Sequence, residues 1–227
     1  DPGNTWYRTQ LASLYMNKEQ TGDAIKIYES LRKEYPQQVE LYDGLIDIYV
    51  KEKKLEQALD VLEDIEKYAG KSEASCLTRY NLFIFQNKRD EAIRYLSDFD
   101  KENGTPRTAT ILGDYYTSVQ NDSLAMEYYT KAISIEPSYV PAIFGQAELH
   151  RIKSRFGPYF RSMIPLMANP VVTAEMKVDY LSQIISNQRF VETFLPQVDT
   201  LVSNMYYAHP GDSSSTYLYA RYMAQTG

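Results

Sequence analysis

This 227-residue sequence has little of what catalytic and metal-holding sites are usually made from. It carries one cysteine, Cys76, and two histidines, His150 and His209. A single cysteine excludes an internal disulfide, and three such residues with no close spacing do not make a metal ligand set. Glycine is sparse, with ten residues and no glycine-rich phosphate loop. No apolar run reaches membrane-spanning length. Positive charge is short as well: 24 Lys and Arg against 30 Asp and Glu leave a formal net charge of −6. That argues against a nucleic-acid partner, which calls for a basic face. Cys76 reads as a small core residue rather than a nucleophile, and Ser213 to Ser215 after Asp212 as a turn and helix N-cap. The chain reads as non-enzymatic, without cofactor or metal.

What is present is a repeat. Ala24, Ala58, Ala92 and Ala125 follow one another at intervals of 34, 34 and 33 residues. Each sits in a similar setting: Asp23-Ala-Ile-Lys-Ile-Tyr28, Gln57-Ala-Leu-Asp-Val-Leu62, Glu91-Ala-Ile-Arg-Tyr-Leu96 and Leu124-Ala-Met-Glu-Tyr-Tyr129. Apolar residues return at three and four residues, which predicts two amphipathic helices per period. Polar stretches at Asn17–Gln20, Lys51–Lys54, Asn87–Asp90 and Gln120–Asp122 mark the turns. Ala12 and Gly113 let a partner helix approach closely, and Tyr15, Tyr49 and Tyr116 supply bulk near the end of each first helix. No helix pair buries its apolar face alone, so neighbours must stack.

The fourth copy carries Leu112-Gly113-x-x-Tyr116, Ala125-x-x-x-Tyr129 and Pro137. It resembles the tetratricopeptide repeat, whose pattern runs Leu-Gly-x-x-Tyr, Ala-x-x-x-Phe and Pro. The first copy has Leu11-Ala12-x-x-Tyr15, Ala24-x-x-x-Tyr28 and Pro36; the second and third keep the alanine and the spacing. The resemblance implies an all-α, right-handed superhelical solenoid of helix-turn-helix repeats. Four regular repeats are expected at 1–36, 37–70, 71–104 and 105–137. Two degenerate pairs follow at 138–210, with Tyr159 in the place of the alanine, and residues 211–227 read as the first helix of a further repeat. First helices are expected near 4–17, 37–51, 73–86, 106–119, 139–153 and 172–186. Pro165 and Pro196 fall inside predicted second helices and are expected to kink or end them.

The family also implies what the chain does: non-enzymatic, protein–protein interaction scaffolding, with a peptide segment or partner domain docked on the concave first-helix face. The matching exposed positions are Thr9 with Ser13, Asp43 with Asp47, Leu77 with Asn81, Thr110 with Asp114, and Phe144 with Glu148. Each pair is four residues apart and shares a helix face. Asp43 and Asp47, with Glu40 on the same stripe, concentrate negative charge that either a basic partner or Lys51, four residues on, would offset. With Asp114 and Glu148 they outline an acidic groove. The carboxylate grip of chaperone-binding family members is not implied, because Thr9, Ser13, Asp43 and Asp47 replace its basic residues. Trp6 and Phe144, aromatic and off the packing positions, would suit the alternative of a glycan- or small-ligand-binding solenoid at a cell surface. The ends Asp1-Pro-Gly-Asn4 and Ser213–Gly227 look uncapped, so a piece of a longer array and self-association through repeat ends are expected. The style is similar to long exported tetratricopeptide proteins of some bacteria.

Overall fold

Fourteen α-helices and one short 3₁₀ helix make up the described residues, 4–227, of the computed structural model, and no strand occurs among them. The helices are α1 (Thr5–Asn17), α2 (Thr21–Glu34), α3 (Leu45–Lys51), α4 (Leu55–Ala69), α5 (Glu73–Phe85), α6 (Arg89–Asn103) and α7 (Pro106–Ser118). They continue as α8 (Asp122–Ile135), α9 (Val140–Ile152), α10 (Phe156–Ala168), α11 (Ala174–Ser186), α12 (Gln188–Thr193), α13 (Leu195–Ala208) and α14 (Ser213–Thr226). This is the all-α repeat solenoid expected from the sequence. The expected linker residues Asp1, Pro2 and Gly3 lie outside the described residues; Asn4 caps α1, its side chain accepting from the Tyr7 amide.

The turns inside the helix pairs are built by a device with the period of the repeat. Glu19, Lys53, Asn87, Gln120 and Ser154 all have φ between 55° and 60°. One residue further on, the amides of Gln20, Lys54, Lys88, Asn121 and Arg155 donate to the carbonyls of Tyr15, Tyr49, Phe83, Tyr116 and His150. These are the six-to-one bonds of Schellman caps, which satisfy the last carbonyls of each first helix. Here residues other than glycine hold the left-handed position in all five.

The second repeat departs from a single continuous first helix. A 3₁₀ helix, Val39–Leu41, is followed by a break at Tyr42, and α3 begins only at Leu45. Tyr42 occupies the slot that Cys76 fills in the third repeat. Its ring is fully buried and its hydroxyl donates to the Pro36 carbonyl at 2.6 Å. At this position the backbone of Tyr42 leaves the helical region, at φ −140°. Cys76 is wholly buried, and burial raises its thiol to about 12, as suits a core residue.

Contacts divide the chain into two compact units, one up to Thr108 and one from Ala109. In the first, Ala12, Ala24, Ala58 and Ala92 are fully buried, so each repeat alanine lies where helices approach closely. Tyr28 packs its ring against Gly44 at 3.5 Å from where a Cβ would stand. Between α4, α5 and α6, Arg79 pairs with Glu66 at 2.8 Å while the Tyr95 hydroxyl donates to the same carboxylate. Both charges are largely shielded from water, so each depends on the other.

In the second unit the ring of Tyr129 is held between two glycines. A Cβ on Gly113 would stand 2.7 Å from it, and one on Gly145 2.5 Å. Further along, α10 packs against α9 and α13, and α14 against α11 and α13. Tyr159, standing where earlier copies have alanine, is fully buried, and its hydroxyl meets that of Tyr180 at 2.7 Å. Pro196 behaves as expected: α12 ends at Thr193 and α13 restarts with the proline in its first turn. Pro165 does not end α10. The carbonyl it leaves without a donor belongs to Arg161 on the exposed side of the helix, where water can reach it. Lys177 of α11 is wholly buried without a carboxylate partner. Its Nζ donates to the Asn169 carbonyl at 2.7 Å and lies 3.0 Å from His209 Nε2.

Two outcomes follow from this packing. Gly113→Ala should lower stability by about 1–3 kcal/mol, whereas Gly22→Ala, with nothing near its Cβ position, should not. Thermal melting compares them, and an equal effect of both would contradict the Tyr129 contact. Burial pulls the Lys177 ammonium down to about 8. The unfolded chain therefore binds more protons between pH 8 and 10.5, and stability should rise with pH across that window. Denaturant titrations at several pH values should show this rise in the native chain and lose that component in Lys177→Met.

Candidate functional site

A groove of the first unit lies beside the break before α3. It is a cleft of about 360 Å³ lined by Asp43, Gly44, Ile46 and Asp47, by Leu62 and Ile65 of α4, and by Ser72, Ala74, Ser75 and Thr78 around the start of α5. The α3 side carries two carboxylates and the α5 side hydroxyls, and α4 contributes aliphatic side chains. Asp43 stands in the turn rather than on the helix, yet it shares the groove with Asp47 as the four-residue spacing implied. Glu40 is exposed on the 3₁₀ helix. Lys51, the cation four residues after Asp47, forms no ion pair with it among the described residues.

The hydroxyl wall is fixed by a capping box. The Ser72 side chain accepts from the Ser75 amide, and the Ser75 side chain from the Ser72 amide. Ser75 Oγ and Thr78 Oγ1 also donate to the Ser72 and Ala74 carbonyls, leaving oxygen lone pairs for other donors. The electrostatics of the α3 side are those of crowded like charge. Partial desolvation raises the Asp43 carboxyl above its ordinary value. Asp47 and Glu40 raise it further, while a hydrogen bond from the Gly44 amide works against them.

The remaining expected positions are placed differently. Trp6 is 60% exposed and edge-on to Tyr7. Thr9 donates to the Trp6 carbonyl, and Ser13 Oγ lies 3.5 Å from the Tyr28 hydroxyl. Asn81 is exposed, but its companion Leu77 is buried. Thr110 is only 5% exposed, so it is closed to a ligand. Asp114 accepts the Tyr129 hydroxyl at 2.7 Å. Phe144 is half-buried, with its ring edge-on to Tyr180 at 4.9 Å. Glu148 is bound by Arg151 at 2.8 Å and by the Tyr180 hydroxyl. Of the expected acidic positions, Asp43, Asp47 and Glu40 make no ion pair, Asp114 is exposed and accepts the Tyr129 hydroxyl, and Glu148 is held by Arg151 and Tyr180, while Phe144 packs against Tyr180. The groove's other walls were not anticipated. The Ser72-x-x-Ser75 spacing before an apolar run could have located one of them.

The sequence profile of the tetratricopeptide repeat matches residues 15–79 and again 106–139. The chain carries tetratricopeptide repeats over these two stretches. Solved structures of the same repeat class have the same fold. A tetratricopeptide repeat protein from Parabacteroides merdae superposes with a TM-score of 0.60 at 15% identity, over 98% of this chain and 93% of that one. PilF of Pseudomonas aeruginosa gives 0.57 at 15% identity, over 98% and 97%. YrrB, described as having an unusual peptide-binding site, gives 0.51 at 10% identity, over 84% and 96%. No curated protein matches the sequence. At such identities these likenesses concern the fold alone. Within this tetratricopeptide array, Asp47→Asn should lower the Asp43 pKa by removing its nearest like charge. Carboxyl NMR titration reads it, and an unchanged Asp43 would mean the two do not share one field.

Proposed function

We propose that this chain is a non-enzymatic docking scaffold that holds an extended, basic segment of a partner protein on the first-helix face of its second and third repeats. Repeat solenoids work by presenting long surfaces, and family membership supports a protein-interaction role. The observation that carries the finer reading is the Asp43–Asp47 groove, whose carboxylates have no neutralising cation in contact while Ile46, Leu62 and Ile65 line its floor. A lysine or arginine side chain has the matching two-part character: its methylene stem lies along apolar surface while its head stays polar. Burying the stem on the aliphatic floor brings the charge to the carboxylates and relieves their repulsion.

The test uses an array of extended peptides, identical except for one lysine, arginine, glutamine or glutamate. The native chain should prefer the basic members, and Asp43→Asn with Asp47→Asn should weaken them by about 3–10-fold, on the order of 1 kcal/mol for partly exposed ion pairs. The double variant should also flatten the salt dependence of binding. Equal binding of basic peptides by native and doubly substituted chains would remove the groove from the reading and turn attention to the second-helix face or the turns.

A further inference from the structure

The second unit holds a groove that is the counterpart, in the sixth repeat, of the Asp43–Asp47 groove in the second. Val178 and Ser182 of α11 follow Phe144 and Glu148 by 34 residues each and hold the same first-helix positions. With Ser213, Ser214, Tyr217 and Arg221 of α14, which packs against α11, they line a cleft of about 460 Å³. The buried Leu218 completes it.

Its chemistry is the reverse of the earlier groove's. Val178 and Ser182 stand where the second repeat has Asp43 and Asp47, and the one charged side chain in the lining is Arg221. Arg221 is exposed and forms no ion pair among the described residues. The hydroxyls of Ser182, Ser213, Ser214 and Tyr217 likewise make no hydrogen bond among the described residues, so each keeps a donor for a ligand. The acids nearest in sequence, Asp179 and Asp212, do not line the cleft, and Asp212 turns its carboxylate onto the Ser215 amide at 2.7 Å. The lining therefore carries one positive charge, free donors and no carboxylate, in a chain whose formal net charge is −6. Tyr217, four residues before Arg221 and on the same face of α14, is 69% exposed. Tyrosine and arginine are the residue types that most often carry binding energy at protein interfaces.

We infer that this cleft is a second docking point for a partner protein and takes an aspartate or glutamate side chain of an extended segment. The Arg221 guanidinium can meet a carboxylate with two parallel hydrogen bonds, and the serine hydroxyls donate to the lone pairs left over. The methylenes of the acidic side chain and an apolar neighbour rest on Val178 and the Tyr217 ring. Charge sets the class: one guanidinium balances one carboxylate, whereas a phosphorylated side chain brings close to two negative charges and leaves one unbalanced. The inference rests on the docking-scaffold reading, though not on the Asp43–Asp47 groove.

The probes are acetylated and amidated peptides Gly-Ser-Gly-X-Leu-Gly-Ser in which X is glutamate, glutamine, lysine or phosphoserine. Each is titrated into the full chain while the backbone amide resonances are followed by NMR, and capping removes the terminal carboxylate as a competing anion. The glutamate peptide should shift residues 178–182 and 213–221 saturably. It should bind about three- to fivefold more tightly than the glutamine peptide, the range for an exposed ion pair. Arg221→Gln should abolish that preference with the helical signal unchanged, and Arg221→Glu should turn it towards lysine. Asp43→Asn with Asp47→Asn should leave it intact. Equal binding of the glutamate and glutamine peptides, or a preference that survives in Arg221→Gln, would overturn the site. Phosphoserine binding more tightly than glutamate would overturn the carboxylate assignment. A glutamate peptide that shifts nothing here, while the lysine peptide still shifts residues 43–48, would overturn this inference and leave the proposed function standing.

Discussion

The structure depends on tyrosine rings seated against residues with almost no side chain. Tyr129 lies between Gly113 and Gly145 so closely that a Cβ on either would overlap it, and Tyr28 rests on Gly44. The repeat alanines serve the same end, with Ala12, Ala24, Ala58, Ala92 and Ala125 all fully buried. Large against small is how helices of a solenoid interlock at native density. It also creates a polar requirement, since a buried ring brings its hydroxyl along. That need is met by carboxylates: Tyr49 donates to Glu29, Tyr95 to Glu66, Tyr129 to Asp114, Tyr180 to Glu148 and Tyr222 to Asp199. Part of the chain's acidity is therefore spent inside the fold.

The same pairing distinguishes the carboxylates of the first-helix face. Asp114 and Glu148 sit at the same repeat position as Asp47, two and three periods on in sequence, and each accepts a tyrosine hydroxyl from a neighbouring helix. Asp43 and Asp47 are not claimed in this way. Tyr42, beside them, sends its hydroxyl to a backbone carbonyl instead, and Asp43 sits in the turn that follows it.

Outside the broken first helix of the second repeat, helix positions were legible in the sequence because they follow from periodic apolar spacing and from polar turns, both local. Even α11, where the repeat alanine is lost, falls within about two residues of its expected span. What could not be read was set by contacts between helices. Glu148 looks like a groove residue until Tyr180 is placed against it, and Phe144 looks free until the same tyrosine covers its edge. The left-handed turn residues Glu19, Lys53, Gln120 and Ser154 carry no glycine to betray them; only their period does. Pro165 reads as a helix breaker, and the exposure of the carbonyl it leaves unbonded, which makes it harmless, is a property of the folded surface.

The account stands on where a basic segment contacts the chain. Hydrogen exchange of the full chain, with and without a saturating lysine-containing extended peptide, locates that contact directly. The account predicts added protection at residues 43–48 and 72–78, the two walls of the acidic groove. Protection confined to α4 beyond its groove-lining turn, or to the turns at 51–54 and 87–90, would contradict it.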